Sequence, residues 1–406
     1  MSEYLNSLLA LAEQSGLDAV GVTSAEPFAE AQTTLVKRRS QGLASSMQFT
    51  YRNPKRSCDP SATLPGAQSL IVGALRYEAP ARYEANEEMR VAAYAQRDYY
   101  GELRGALEVV AQQLKDDGYR ARVVADDNAL MDREAARRAG LGWYGKNTCL
   151  LIPKKGSRFV LGSIITTAAL ASNTPIERTC GTCNACQNAC PTGALDIAGE
   201  LDARKCLAWL LQAEGIFPRE YRVALGNRFY GCDDCQDVCP INSKQVSSKQ
   251  KDTKQGSQLS VLDILKSSDE ELMDRFGRFY IPRRQPRYLR RNALLVLANT
   301  AIQEPDPQET APLETETTEA LKEMVNHEDP MLRAHGIWAA QRLGRFDLAD
   351  QASCDPDARV REEARRPVQL LKGQLLNRQL LNSQRLERQL LRGQHLEGQE
   401  RQQLEQ

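Results

Sequence analysis

Cys180-Gly181-Thr182-Cys183-Asn184-Ala185-Cys186-Gln187-Asn188-Ala189-Cys190-Pro191, then Cys206, then Cys232-Asp233-Asp234-Cys235-Gln236-Asp237-Val238-Cys239-Pro240 gather eight of the chain's eleven cysteines into sixty residues. Three thiols at intervals of three with a fourth before proline is the spacing of paired 4Fe–4S clusters, in which three close thiolates hold one cluster and the cysteine before proline crosses to the other. On that rule Cys180, Cys183, Cys186 and Cys239 hold one cluster, and Cys190, Cys206, Cys232 and Cys235 hold the second. Zinc is the rival, because two Cys-x2-Cys pairs make a thiolate tetrahedron. A zinc site, however, requires neither a third cysteine at the same interval nor the Cys-Pro that follows.

At 406 residues the chain exceeds the usual size of a single core, so two or three domains are expected. Its formal net charge of zero says little about partners. No arginine-flanked apolar stretch opens the chain, and the longest weakly polar run, Ser163 to Ala171, is half the length of a membrane span. The expectation is a cytoplasmic monomer with no membrane contact. Cluster thiols need a reducing compartment, which agrees with that address. Cys58, Cys149 and Cys354 are left over and read as buried small hydrophobes.

Short apolar runs such as Ser69-Leu70-Ile71-Val72-Gly73-Ala74-Leu75 and Arg122-Val123-Val124-Ala125 alternate with helical patterns such as Gly101 to Leu114, which predicts an α/β domain over residues 1–175. A ferredoxin-like two-cluster domain is expected over 176–245, with a helical insertion from Leu201 to Leu225, followed by a polar loop from Ser243 to Gln258. An all-α region is expected over 260–370, interrupted by an acidic linker from Gln303 to Thr318. There, Tyr288-Leu289-Arg290-Arg291, Met331-Leu332-Arg333 and Val360-Arg361-Glu362 echo one helix start, the last two after Asp329-Pro330 and Asp355-Pro356, which resembles HEAT-type repeats. Residues 371–406 form a Gln/Leu-rich low-complexity tail whose leucines recur every five residues; that period spirals round a helix and makes no seam.

Gly140-Leu141-Gly142-Trp143-Tyr144-Gly145 matches G-x-G-x-x-G, but it follows the charged helix pattern Asp132 to Arg138 and leads into Leu150-Leu151-Ile152. A dinucleotide fingerprint needs a strand before it and a helix after it, so this is not a nicotinamide site. Val124-Ala125-Asp126-Asp127-Asn128-Ala129-Leu130-Met131-Asp132-Arg133, Ala139 to Thr148, Cys190-Pro191-Thr192-Gly193-Ala194-Leu195 and Gly231 to Asn242 together closely resemble the epoxyqueuosine reductases, over roughly residues 1 to 300. The resemblance implies cobalamin in the α/β domain and reduction of the epoxide of epoxyqueuosine at the wobble position of tRNA, giving queuosine.

By register with Arg133, the family's proton-donating acid falls on Asp126, with Asp127 beside it as the confound and a turn or N-cap role as the plain alternative for both. Arg56, Arg133, Trp143, Lys146 and Asn147, with Asp233 and Asp234 of the second cysteine block, are carried over as cofactor or substrate contacts. The chain departs from the family at Ala129, Asp132 and Tyr100, where proline, glutamate and histidine are common. Its three histidines, His327, His335 and His395, all lie beyond the α/β domain, so bound cobalamin receives no imidazole from it and is expected base-off. From Arg275 to Arg291 there are seven arginines interleaved with Phe276, Phe279, Tyr280 and Tyr288, a composition suited to RNA. A low-potential electron donor is the other expected partner. Two alternatives stand beside this reading: a dehalogenase-like reductase with the same cofactors, and a non-catalytic electron-transfer module.

Overall fold

The computed structural model describes residues 2–79, 89–243, 260–300 and 310–366. The polar stretch 244–258, the linker residues 303–309 and the tail 371–406 lie outside these. The chain divides into two compact units, Met1–Thr300 and Ala301–Gln406.

In the first unit, among the described residues, the main sheet has four strands in the order Ala19–Ser24, Ser69–Arg76, Phe159–Thr166, Ala121–Val124. Every neighbouring pair is antiparallel, so the alternation of helix and strand is as expected but does not produce parallel pairing. Both faces are covered. Ile71 and Ile164 point into a core with Leu8, Val22, Leu103, Leu107 and Val110, whereas Leu70, Val72 and Ile165 point into another with Val124, Ala135 and Ala136. A strand buried on both faces reads as one continuous apolar run, which is why 69–75 shows no polar alternation. Tyr99–Asp116 covers the first face as a helix, with Asp98 accepting the N–H of Gly101 at its start and Leu103, Leu107, Val110 and Leu114 turned inward.

The cysteine-rich segment is built from short pieces. The helices Ala185–Ala189, Leu207–Leu210, Arg222–Leu225 and Asp234–Asp237 are joined by turns, and Arg228–Tyr230 pairs in parallel with Arg90–Val91. The expected helix from Leu201 to Leu225 is therefore broken: Gly215 takes a φ of +84° and Pro218 cannot donate to a helical bond. Three further helices, Val261–Lys266, Asp269–Phe276 and Arg287–Thr300, complete this unit. Ser268 and Glu271 form a reciprocal capping box on the second. In the third, Arg291 is fully buried and donates to the carbonyls of Leu210, Leu211, Ala213 and Gly215.

The polar end of the sheet is tied to the cysteine-rich segment through Ser157. Its N–H donates to Asn242 Oδ1 at 2.8 Å, and Asn242 Nδ2 returns a bond to Ser157 Oγ at 3.1 Å. Gln236 Nε2 donates to the Ser157 carbonyl at 3.0 Å and to Tyr77 Oη at 2.9 Å.

The second unit contains the helices Thr310–Val325, Pro330–Arg342, Phe346–Ala349 and Ala358–Arg365. Residues 310–318 are thus helical where a linker was expected; Pro312 falls in the first turn, where its missing N–H is not needed. Asp329 caps Pro330–Arg342, and Asp355 holds Arg333 through two bonds of 2.7 and 2.9 Å. The first of the three similar helix starts, Tyr288 to Leu294, belongs instead to the first unit.

Candidate active site

The eight clustered thiols fall into two neighbourhoods. Burial and then the charge of Cys180 raise the Cys186 thiol, while Cys239 is raised by burial and by Cys180 and Cys183. Burial likewise raises Cys206 and Cys232, with Cys190 a charged neighbour of Cys206, and Cys206 a neighbour of both Cys232 and Cys235. Two quartets of thiols match the donor set of two 4Fe–4S clusters. Cys149, expected in the core, is instead half-buried and hydrogen-bonded to Cys235; that bond and the nearby Arg133 guanidinium lower its pKa to about 7. Cys58 is buried against the Met131 sulfur at 3.4 Å, as expected of a small hydrophobe, whereas Cys354 is exposed.

Beside the second quartet, acids, phenols and Arg133 crowd around Asp126, and this group is the candidate cleft. Strand Ala121–Val124 ends in a turn where Asp126 takes a φ of +53°. Neighbours on several sides fix this turn. Arg104 Nη2 donates to the Ala125 carbonyl at 2.6 Å, Ser57 Oγ to the Asn128 carbonyl at 2.8 Å, and the Met131 N–H to the Ser57 carbonyl at 3.0 Å. Asp127 Oδ1 accepts the N–H of Ala129, so Asp127 is a turn residue. The Asp126 carboxyl makes no hydrogen bond among the described residues. It reaches solvent yet is crowded by protein; burial raises its pKa, Arg104 opposes the rise and Asp127 adds to it.

Asp132, at the start of helix Asp132–Arg138, is raised well above the carboxylate range by burial and by the charges of Asp126 and Asp127, against the hydrogen bond from the Asp126 N–H. Three phenols complete the surroundings. Tyr100, where the family has histidine, feels the charges of Asp126 and Asp132; Tyr94 and Tyr230 are hydrogen-bonded to each other and both feel Asp126. Tyr94 and Tyr230 were not singled out from the sequence, Cys149 was read as a core residue, and Asp132 as a departure from the family. Only Asp132 carried a signal, as a shortened acid beside Arg133.

The other expected contacts are distributed around this cleft. Arg56 lies in the short helix Pro54–Ser57, next to the serine that holds the Asp126 turn. Arg133 extends over the turn 145–148, with Nη1 at 3.4 Å from the Thr148 carbonyl. Trp143 is buried, and its indole N–H has no partner among the described residues, an orphaned donor of the kind a bound polar group would satisfy. Lys146 donates to the Gly181 carbonyl at 2.8 Å and Asn147 Nδ2 to the Cys235 carbonyl at 3.3 Å, so both side chains hold the cysteine loops. Asp233 accepts the N–H of Ala93 at 2.7 Å, and Asp234 pairs with Arg228. The Gly-x-Gly-x-x-Gly stretch is a hairpin, Trp143–Tyr144 against Leu150–Leu151, in which a Cβ on Gly142 would collide with the Leu151 carbonyl. No helix follows it, as the rejected nicotinamide reading required.

The arginine-rich stretch is only partly a surface. Phe276, Phe279 and Tyr288 are buried, leaving Tyr280 as its exposed aromatic. Arg278 donates to the carbonyls of Ala95 and Gln96, Arg290 pairs with Asp269, and Arg291 is internal.

Comparison with known proteins agrees with this geometry. A family model described as "4Fe-4S double cluster binding domain" matches residues 179–242, and one described as "Epoxyqueuosine reductase QueG, DUF1730" matches 57–127. The chain is 31% identical to the epoxyqueuosine reductase of Bacillus cereus over 90% of its own length and 96% of the relative's, and 30% identical to that of Bacillus subtilis over 90% and 95%. Among solved structures it is similar to an epoxyqueuosine reductase bound to an epoxyqueuosine-modified tRNA-Tyr stem loop, with a TM-score of 0.75, 28% identity and coverage of 89% of this chain and 97% of that one. The epoxyqueuosine reductase of Bacillus subtilis with a catalytic loop swung out of the active site gives the same four values, 0.75, 28%, 89% and 97%. No helix of the described residues is long and apolar enough to cross a membrane.

Proposed function

The chain belongs to the epoxyqueuosine reductase family, and from that premise we propose that it reduces the epoxide of epoxyqueuosine at the wobble position of tRNA to the alkene of queuosine, with two 4Fe–4S clusters and cobalamin as cofactors. The observation that carries the reading is the segment 147–148, where Asn147 Nδ2 donates to the Cys235 carbonyl at 3.3 Å and the Thr148 carbonyl lies 3.4 Å from Arg133 Nη1. It joins the second thiol quartet to the cleft that contains Asp126.

Cys180, Cys183, Cys186 and Cys239 would ligate one cluster, and Cys190, Cys206, Cys232 and Cys235 the other. Clusters held by these thiolates supply single electrons, and cobalamin supplies a low-valent cobalt centre for the reduction. Arg56, Arg133 and Trp143 would contact cobalamin or substrate, with the orphaned Trp143 N–H as a donor to the bound group. No histidine lies between Met1 and Thr300, so this unit offers cobalt no imidazole, in keeping with a base-off cofactor.

Removing the epoxide oxygen as water takes two electrons and two protons. Asp126 holds the first of these protons: its raised pKa keeps the carboxyl protonated to higher pH than an ordinary aspartate, and no hydrogen bond from the described residues competes for it. Lys146 and Asn147 anchor the loops of Cys180 and Cys235 at the edge of the cleft, which fixes the electron source relative to the acid. The second unit, with its Asp-capped helices, we read as HEAT-like. The enzyme is expected to act as a cytoplasmic monomer fed by a low-potential donor.

The test is anaerobic incubation of reconstituted enzyme, cobalamin and a low-potential reductant with tRNA carrying epoxyqueuosine, followed by mass spectrometry of the nucleosides. Conversion to queuosine supports the reading. Fully loaded enzyme that gives no conversion overturns it.

A further inference from the structure

Phe49, Trp209 and Tyr280 come from three separate segments and meet in one place. Phe49 lies 6.1 Å from the Trp209 ring and 5.1 Å from the Tyr280 ring, and Trp209 lies 6.4 Å from Tyr280. They are not core. Tyr280 is 41% exposed, a large amount for a ring that already touches two others, and Phe49 is half-buried. Trp209 supplies the floor: it is 5% exposed and its indole N–H is buried with no partner among the described residues. Phe49 also sits at a φ of +22°, a conformation that bulky L-residues rarely take.

The charge around the rings names the class of ligand. No aspartate or glutamate occurs from residue 31 to 58, the run that contains Phe49, while Lys37, Arg38, Arg39, Arg52, Lys55 and Arg56 all do. The run that contains Tyr280 has no acid of its own from 275 to 303 and carries exposed Arg275, Arg283 and Arg284; the acid nearest the rings is Glu214, whose charge reaches Tyr280 and is paired with Arg283 at 3.1 Å. An exposed aromatic step between two basic, acid-free segments has the composition of a single-stranded nucleic-acid site, where rings stack on bases and cations follow the phosphates.

The step is also wired to the cleft. The Tyr280 N–H donates to Tyr230 Oη at 2.8 Å, and Tyr230 is hydrogen-bonded to Tyr94, both of them within the field of Asp126.

Resting on the tRNA reading above, we propose that Phe49 and Tyr280, backed by Trp209, form a stacking platform for a nucleobase that neighbours the wobble nucleotide in the anticodon loop, holding the loop open while the modified base enters the cleft. One base is the occupant. Its face is read, not its hydrogen-bonding edge, so the platform sets affinity and geometry and leaves the identity of the base free.

The experiment uses the full chain with reconstituted clusters and a fluorescent anticodon stem-loop with guanosine at the wobble position, in three forms: intact, abasic at the nucleotide before the wobble position, and abasic at the nucleotide after it. Base–aromatic stacking lost on truncation corresponds to roughly 5- to 150-fold in affinity. Tyr280→Ala and Phe49→Ala are each expected to weaken intact-loop binding by a factor in that range. Tyr280→Phe should bind like the wild type, and one of the two abasic loops should bind wild type and Tyr280→Ala equally. Tyr280→Leu, which keeps the apolar bulk without the aromatic face, should resemble Tyr280→Ala.

Unchanged binding by Tyr280→Ala overturns the platform, and so does an equal loss with all three loops. Loss of cobalamin retention in Tyr280→Ala, followed by the absorption of the bound cofactor, would make the rings a wall of the cofactor site and also overturn it. Failure of the tRNA reading looks different: the wild type itself neither binds the loop nor converts epoxyqueuosine.

Discussion

The N–H of Asp126 donates to Oδ2 of Asp132 at 3.3 Å, so one acid of the cleft holds the backbone of the other. This bond helps to fix the left-handed conformation of Asp126 while its own carboxyl stays uncommitted. Asp127, next in sequence, has its Oδ1 engaged by the Ala129 N–H. The two adjacent aspartates therefore differ in bonding: Asp127 is tied into its own turn, and the Asp126 carboxyl makes no hydrogen bond among the described residues.

Asp126→Asn is expected to lower queuosine formation by about 10²- to 10⁴-fold, the usual worth of a general acid, with cluster absorption and bound cobalamin unchanged. Asp127→Asn should have a much smaller effect, seen mainly as a modest drop in thermal stability. Single-turnover rates measured with equal cofactor loading check both. An unimpaired Asp126→Asn would move the proton donor elsewhere.

The rate should fall with rising pH as Asp126 loses its proton, and the fall should come above the ordinary aspartate range because burial raises this group. Arg104 holds the pKa down and Asp127 pushes it up. Removing the guanidinium in Arg104→Met therefore shifts the falling limb to higher pH, whereas Asp127→Asn shifts it to lower pH. Profiles of kcat/KM against pH for the three proteins decide this, and a common limb for all three would show that another group titrates.

Cys190→Ala should leave the Cys180, Cys183, Cys186 and Cys239 cluster intact and damage the one shared by Cys206, Cys232 and Cys235, reducing iron from about eight to about four per chain. Mössbauer spectra of reconstituted protein report the cluster type that survives. Cys239→Ala should give the complementary loss. If both variants lose the same cluster, the crossing of the two Cys-Pro thiols is disproved.

Arg291→Leu should destabilise the first unit by about 1–3 kcal/mol or more, because burying carbonyls without a donor costs about that much for each group left unsatisfied. The carbonyls concerned belong to residues 210–215, just after Cys206, so iron retention during dilution should fall along with the melting temperature. A variant as stable as wild type would show that water replaces the guanidinium.

The cluster thiols were legible because their spacing encodes their chemistry, whereas Asp126 came only from the family resemblance, by register with Arg133. Strand Ser69–Arg76 was legible because burial on both faces leaves an unbroken apolar run. The direction of its neighbours was not, since a side-chain period of two is the same in parallel and antiparallel sheets. Leu201 to Leu225 read as helix from its leucine and alanine content, and Gly215 and Pro218 prevailed over that propensity. Tyr94 and Tyr230 carry no motif; they come together because Arg90–Val91 pairs in parallel with Arg228–Tyr230, which brings distant segments side by side. The aromatics between Arg275 and Arg291 looked equivalent in the sequence, and packing against Phe229 and Tyr230 took Phe276 and Phe279 inside while leaving Tyr280 out.

Ser157 is bonded to Gln236 and Asn242, which flank Cys239, so the cysteine-rich segment is fastened to the same sheet whose edge carries Asp126. An ordinary ferredoxin must find its client by diffusion, dock and leave. On the proposed function the electron carrier and its client are one covalent body, and the final transfer has no encounter step: it should be insensitive to solvent viscosity and to protein concentration, leaving only delivery from an external reductant to depend on collision.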